Sequence, residues 1–439
     1  MALARTRTAS LSRRVGGVAL AVGALTAGLL TGPATAQVSN TPAATPQLAT
    51  SGTDGSVEQV RQIVQCGGRM YAVGKFSQVR KGTTVLTRNN VFAFSATSPY
   101  TISAWNPNVN GQVDTIAFAN GDCSAAYIGG AFTTVGGAAA KNMAKIRTTT
   151  GAPIAGYVNS SPGRVAHIEA VNGHLLMGGK FAGYLKSVSP TTGKPDGLTM
   201  PSISGTYVFP NADPTTTTVW NMSVRTNRVL VMGVFTRVGG LARKQIFMLH
   251  VPAGAGAATV DPWYSPEFNA DCATFYPFWL HDAAWSPDGS TVYTATTGHK
   301  PWQKTTTVPR SELCDSAAAF PSTASSTLAH KWINYTGCDS LLSVAADRTT
   351  VYVGGHQRWA DNPNGCDRKG PGAADSPGLG FLSSATGAHI PATATRGRGN
   401  GADDMLITPA GLWIASDNAQ NTNSCAGQFG HMGICFLPN

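Results

Sequence analysis

Residues 127–137 read YIGGAFTTVGG: an aromatic anchor, a pair of glycines, a phenylalanine and a closing Gly-Gly turn. The same order recurs as YAVGKFSQV at 71–79, LLMGGKFAG at 175–183, LVMGVFTRVGG at 230–240 and VYVGGHQRW at 351–359. With looser copies included, the anchors are Tyr71, Tyr127, Leu176, Leu230, Tyr293, Tyr352 and Trp413, spaced by 56, 49, 54, 63, 59 and 61 residues. A period of that size means one supersecondary unit repeated about seven times, no copy of which can bury its faces alone.

Each unit reads as four strands. Around the second anchor these are QVDTIAF, AAYIGGAFTTV, NMAKIRT and APIAGYV, separated by turns at Asn120-Gly121-Asp122, Gly136-Gly137 and Thr149-Thr150-Gly151. Apolar and polar residues alternate as half-buried strands require. Charged residues make up only 12% of the chain and glycine 50 of 439 positions, a balance suited to short strands and turns, and no long periodic helical stretch is visible. Four-stranded units repeated seven times predict an all-β, seven-bladed β-propeller of antiparallel blades over 57–439, with Phe76, Phe132, Phe181 and Phe235 as wedges between sheets. The last unit supplies only three strands, GADDMLIT, GLWIAS and GICFLPN. The N-terminal arm, 37–56, is therefore expected to close the ring by adding a strand from 41–50.

The first 36 residues read as a signal peptide. Arg5, Arg7, Arg13 and Arg14 precede an apolar stretch over 15–30 and an Ala34-Thr35-Ala36 cleavage site. Ser12-Arg13-Arg14 suits the twin-arginine route and Val15-Gly16-Gly17 does not, so both export routes stay open. A secreted, extracellular monomer with no membrane anchor is expected. The net charge of +10 falls to +6 without those four arginines, and the remaining basic residues are scattered, which excludes a clustered nucleic-acid footprint.

All eight cysteines follow the signal, and an even count in an oxidising compartment argues for disulfides. Their places in the repeat pair Cys66 with Cys123, Cys272 with Cys314, Cys338 with Cys366 and Cys425 with Cys435. No C-x-x-C or C-x-x-H spacing supports a zinc site.

The Y-x-G-G-x-F-T-x-V-G-G pattern, complete at 127–137 and nearly so at 230–240, resembles the delta-60 repeat of secreted bacterial β-propellers, as do VYVGGHQRW with the following DNPNG and SPDGSTVY. The resemblance spans nearly the whole chain after the signal. It implies the fold and brings no catalytic residues with it.

Units five to seven depart from the repeat. Their loops between second and third strands, 298–320, 355–377 and 417–433, are long, and long loops on a rigid scaffold commonly carry binding. Ligand-binding candidates on that sector are His281, Asp282, His299, Trp302, His356, Arg358, Trp359, Asp361, Asp403 and Asp404, with Asp339, Lys300 and His431 nearby. Each also has a plain structural explanation; Arg358, for example, can pair with Asp361. The oxygen-rich run from Asp361 to Asp367 is compatible with Ca²⁺ but reads more simply as an Asx-rich turn, so no cofactor is expected. Asp403 and Asp404 suggest acid and base roles, yet neighbours in a regular strand face opposite ways unless a bulge intervenes. No G-x-S-x-G, H-E-x-x-H, P-loop or dinucleotide fingerprint occurs. The leading expectation is an extracellular binding or scaffold module for a polysaccharide, a cell-envelope component or an exported protein. The alternative is a carbohydrate-active hydrolase or lyase using His281, His356 and a carboxylate.

Overall fold

Seven short strands carry the anchor residues, and every anchor is buried, from Leu176 and Leu230 at 0% exposure to Tyr293 at 4%. The computed structural model describes residues 38–49, 57–119, 121–159, 163–207, 215–270, 272, 278–299, 312–394, 401–417 and 432–439. The chain divides into 1–34, wholly outside the described residues, and 35–439, which holds all of them. The expected signal peptide, Lys300, Trp302, Cys425 and His431 also lie outside the described residues.

The described chain is all-β apart from one short 3₁₀ turn, Pro266–Asn269. Seven principal antiparallel sheets follow one another, opened by the strands Gln59–Cys66, Gln112–Ala117, Arg164–Val171, Thr218–Arg225, Trp279–Trp285, Leu341–Ala346 and Ala402–Thr408. We number these sheets one to seven. In each, the opening strand pairs with the anchor strand, which pairs with a third. The sheets resemble propeller blades, and five smaller sheets lie among them. No described helix is long and apolar enough to cross a membrane.

The expected ring of seven four-stranded blades closed by the N-terminal arm does not hold. Among the described residues only sheets four and five have four strands. In sheets one, two, three and six the expected outer strand shrinks to single bridges, Phe94 with Ile102, Ile146 with Pro153, Val188 with Pro195 and Leu382 with His389. Pro153 and Pro195 have no N–H to extend a ladder. No described sheet closes into a ring, and the arm adds no strand to sheet seven: its only described strand, Gln47–Leu48, pairs with Gln78–Lys81. Isolated bonds such as Ala43 N to Phe436 O, 2.9 Å, merely tack it there. Pro42 and Pro46 again deny the arm a continuous set of donors.

Apolar burial is divided among seven clusters, each formed between successive sheets, with sheet seven also packing on sheet one. Phe132 sits in the cluster between sheets one and two, Phe181 between two and three, Phe235 between three and four, and Phe76 between seven and one, as wedges. Three disulfides match the sequence pairing: Cys66–Cys123, which ties the turns of sheets one and two, Cys272–Cys314 and Cys338–Cys366.

One irregularity repeats in all seven opening strands. Pairing skips Arg61, Asp114, Ala166, Trp220, His281, Leu342 and Asp403 in turn, a β-bulge at the same place in each sheet. The glycine opposite belongs to the repeat signature for a steric reason. A Cβ on Gly130 would stand 2.2 Å from Gln112 O, and one on Gly179 2.2 Å from Arg164 O, so glycine lets the strands meet at these bulges, while Thr296 and Ser416 hold the equivalent places in sheets five and seven.

Candidate functional site

A bulge turns two successive side chains to one side of a strand, and here that side is a cavity of about 730 Å³. All seven skipped residues line it, so every sheet contributes. The residue after each skipped one is polar: Gln62, Thr115, His167, Asn221, Asp282, Ser343 and Asp404. A second cavity of about 690 Å³ begins where the first ends, lined by the later residues of the same strands and sharing Gln62, His167, Asn221 and Asp404 with it.

These polar residues have structural work to do. An opening strand has a ladder partner on one side only, so its other N–H groups need acceptors. Ile116 N donates to Gln62 Oε1 at 2.7 Å, Ile168 N to Thr115 Oγ1 at 3.1 Å, Val344 N to Asp282 Oδ2 at 2.9 Å and Ile63 N to Asp404 Oδ2 at 2.9 Å. Asn221 Nδ2 donates to Asp282 Oδ1 at 2.9 Å, and Ser343 Oγ to Ala402 O at 2.9 Å. Each bond joins one sheet to the next, and that of Asp404 joins the last sheet to the first. Burial pushes Asp404 up to about 7, against its bond from Ile63 and with the charge of Asp282 adding. Burial likewise raises Asp282 to about 6 and lowers His281 to about 4, the latter helped by neighbouring His356.

The cavity wall is chemically uneven. Sheets one to three bring Arg61, Asp114, Arg164 and Lys180 to the lining. Arg164 grips Asp114 in a two-pronged pair, Nε to Oδ2 at 2.6 Å and Nη2 to Oδ1 at 2.7 Å, and Gln112 Nε2 adds a bond at 2.7 Å. Arg61 stands farther off, 3.7 Å from Asp114 Oδ1, beyond hydrogen-bond reach. Sheets four and five bring Trp220 and Trp279, whose ring centroids are 5.5 Å apart at a tilt of 52°. Sheet seven supplies Asp403 and Asp404 together, as the bulge permits.

Of the sequence candidates, His281, Asp403 and Asp404 line the main cavity and Asp282 the second. His356 is not among the residues lining either cavity, and its charge helps to lower His281. The other described candidates belong to loop structure. Arg358 does not pair with Asp361: its Nε and Nη2 clasp buried Asp339 at 2.8 and 2.9 Å, Nη2 also meets Asp367 at 2.9 Å, and its plane lies 4.3 Å over Trp359. Asp361 accepts Asn334 Nδ2 at 2.6 Å and His389 N at 3.2 Å. Asn362 and Asp367 are engaged by Gly370 N and Arg358, so the oxygens of 361–367 serve separate donors, as in an Asx-rich turn. His299 Nε2 lies 3.5 Å from Cys366 Sγ; Cys338 and Cys366 also approach it, but their disulfide leaves no thiolate to bind a metal. Ser187, His174 and Asp196 meet without forming a relay, because Ser187 Oγ and His174 Nδ1 share Asp196 Oδ2 at 2.6 and 2.7 Å and His174 is buried.

Arg61, Gln62, Asp114, Arg164, His167, Lys180, Trp220 and Trp279 were absent from the sequence candidates. Their signal was available. Buried apolar residues in the opening strands stand three apart, as Val60 and Ile63, Val113 and Ile116, Val165 and Ile168, and Val219 and Met222, where a regular strand would space them by two.

Two solved structures follow a similar course. The crystal structure of the WD40 β-propeller domain of Doa1 matches with a TM-score of 0.45 and 8% identity, covering 91% of this chain and 97% of that one. YCF48 bound to D1 peptide matches with a TM-score of 0.40 and 12% identity, covering 92% and 99%. No family model matches the chain, and no curated protein does. The fold is propeller-like, defined by its blade-like sheets and their bulged opening strands; the narrower delta-60 membership is not supported by any family model.

Proposed function

We propose that this protein is an exported binding module that holds a polar, polysaccharide-like segment in the cavity formed by the seven opening strands. The carrying observation is the repeated bulge, which frees one side chain per sheet from strand alternation and aims it at a common space. Trp220 and Trp279 offer faces for sugar stacking, and the charged groups opposite offer directional polar contacts. Export is supported by the N-terminal charged and apolar segment and by three disulfides, which persist in oxidising compartments. The test is co-sedimentation with a panel of insoluble polysaccharides and cell-wall preparations. Saturable retention that Trp220→Ala abolishes is expected; retention unchanged by that substitution would place the ligand elsewhere.

A second reading, a carbohydrate-active hydrolase or lyase, is favoured by Asp403 and Asp404 side by side near His281, with the Asp404 carboxyl at about 7. Against it, Asp404 Oδ2 is committed to Ile63 N. Polysaccharide breakdown with a bell-shaped pH profile, lost in His281→Ala, would establish it.

A further inference from the structure

Resting on the reading of the main cavity as a ligand site, we infer that its ligand is an acidic glycan, with a sugar carboxylate held by Arg61 and Lys180 and a sugar face on Trp220 and Trp279. Charge on the wall of sheets one to three does not cancel. Arg61 and Arg164 share one carboxylate, Asp114, and Lys180 lines the same cavity. That carboxylate is already filled: Oδ1 accepts from Arg164 and Gln112, and Oδ2 from Arg164. Arg61, at 3.7 Å, is left with its charge, and its buried Nε has no hydrogen-bond partner. No carboxylate among the described residues pairs with Lys180, which stands exposed at the end of its strand.

A guanidinium with an unfilled N–H and an ammonium lining one cavity suit an anion, and the planar fork of arginine suits a carboxylate. The bond between Arg164 and Asp114 shows that geometry already realised on the same wall. Two adjoining tryptophans across the cavity favour a rigid ring with an apolar face over an extended acidic peptide. Asp403 and Asp404 lie on sheet seven, where a carboxylate accepts from sugar hydroxyls.

The experiment is calorimetric titration of the purified protein with tetragalacturonate, with its fully methyl-esterified form and with hexaglutamate, repeated for Arg61→Gln and Lys180→Gln. Both side chains are at least partly exposed, and melting curves report whether the variants keep the fold. The acid should bind about tenfold or more tighter than the ester, weaken at high salt, and lose about tenfold in each variant, while the ester is unaffected. Equal affinity for acid and ester, or indifference of acid binding to both substitutions, would overturn the charge assignment. So would binding of hexaglutamate in preference to the glycan, or no binding of tetragalacturonate. In each case, ester or neutral glycan binding that Trp220→Ala removes would leave the cavity itself standing as the site.

Discussion

Ile63 and Asp404, 341 positions apart, are joined by a 2.9 Å hydrogen bond from the backbone N–H of the first sheet to the carboxylate of the last. Nothing local holds these segments together, so the bond reports how the two ends of the repeat meet. Asp404→Ala should leave Ile63 N without its acceptor and cost about 1–3 kcal/mol in urea unfolding. Asp404→Asn keeps an acceptor in place and should recover most of that loss at acid pH.

Titration of the cavity runs in two opposed directions. Asp282 and Asp404, raised to about 6 and about 7, keep protons that the unfolded chain releases near its ordinary carboxylate range, so stability falls as pH rises from about 4 to about 7. His281, lowered to about 4, refuses a proton that the unfolded chain takes up below about 6.5, so stability is lost as pH falls across that interval. Asp404→Asn should therefore raise the melting temperature near about pH 8. His281→Gln should remove the acid-side loss. Thermal melts across this range decide it, and an Asn variant less stable than the parent at the alkaline end would contradict the sign.

Reduction offers a graded comparison. The Cys66–Cys123 bridge spans 57 residues and Cys338–Cys366 spans 28. Loop-closure entropy assigns the longer one about 4 kcal/mol and the shorter about half a kcal/mol less. Paired serine substitutions at Cys66 and Cys123 should lower the denaturation midpoint more than those at Cys338 and Cys366.

Gly130→Ala places a methyl group 2.2 Å from the Gln112 carbonyl and 2.9 Å from Val113 Cα, both backbone atoms of the opening strand. A loss of about 3 kcal/mol is expected, at the upper end of overpacking. Gly121→Ala, in an open turn at φ +70, should cost only its backbone strain, about 1 kcal/mol. Equal losses would mean that the bulge does not need its glycine.

Arg358→Ala removes the clamp on Asp339, whose side chain is 2% exposed. The buried carboxylate keeps the backbone N–H of residue 358 but loses both guanidinium bonds and the opposite charge, so a cost of about 3 kcal/mol is expected. Glycan binding by the folded fraction should be unchanged, because Arg358 does not line the cavity.

The repeat was legible because buried anchors and strand-opposed glycines are dictated by local packing. Tyr127, Gly130 and Phe132 each have one steric role, and each role recurs. The expected outer strand at 152–158 shrinks to a bridge because an alternating pattern says nothing about whether Pro153 can donate to a ladder. The site was only partly legible. His281, Asp403 and Asp404 stood out by chemistry, whereas Arg358 and Asp361 stood out for the same reason and proved to be loop braces. Arg61 and Trp220 are not legible from regular alternation, because burial in their strands recurs at a spacing of three.

The seven skipped residues are excused from the ladder and from strict alternation. Arg61, Asp114, Ala166, Trp220, His281, Leu342 and Asp403 span both charges, an aromatic, an imidazole and two plain apolar side chains. They amount to a seven-character address written on a fixed frame, in which Asp114 is the character that Arg164 of the next sheet already reads. A library confined to the other positions should therefore change what the cavity accepts while the sheets around it stay as they are.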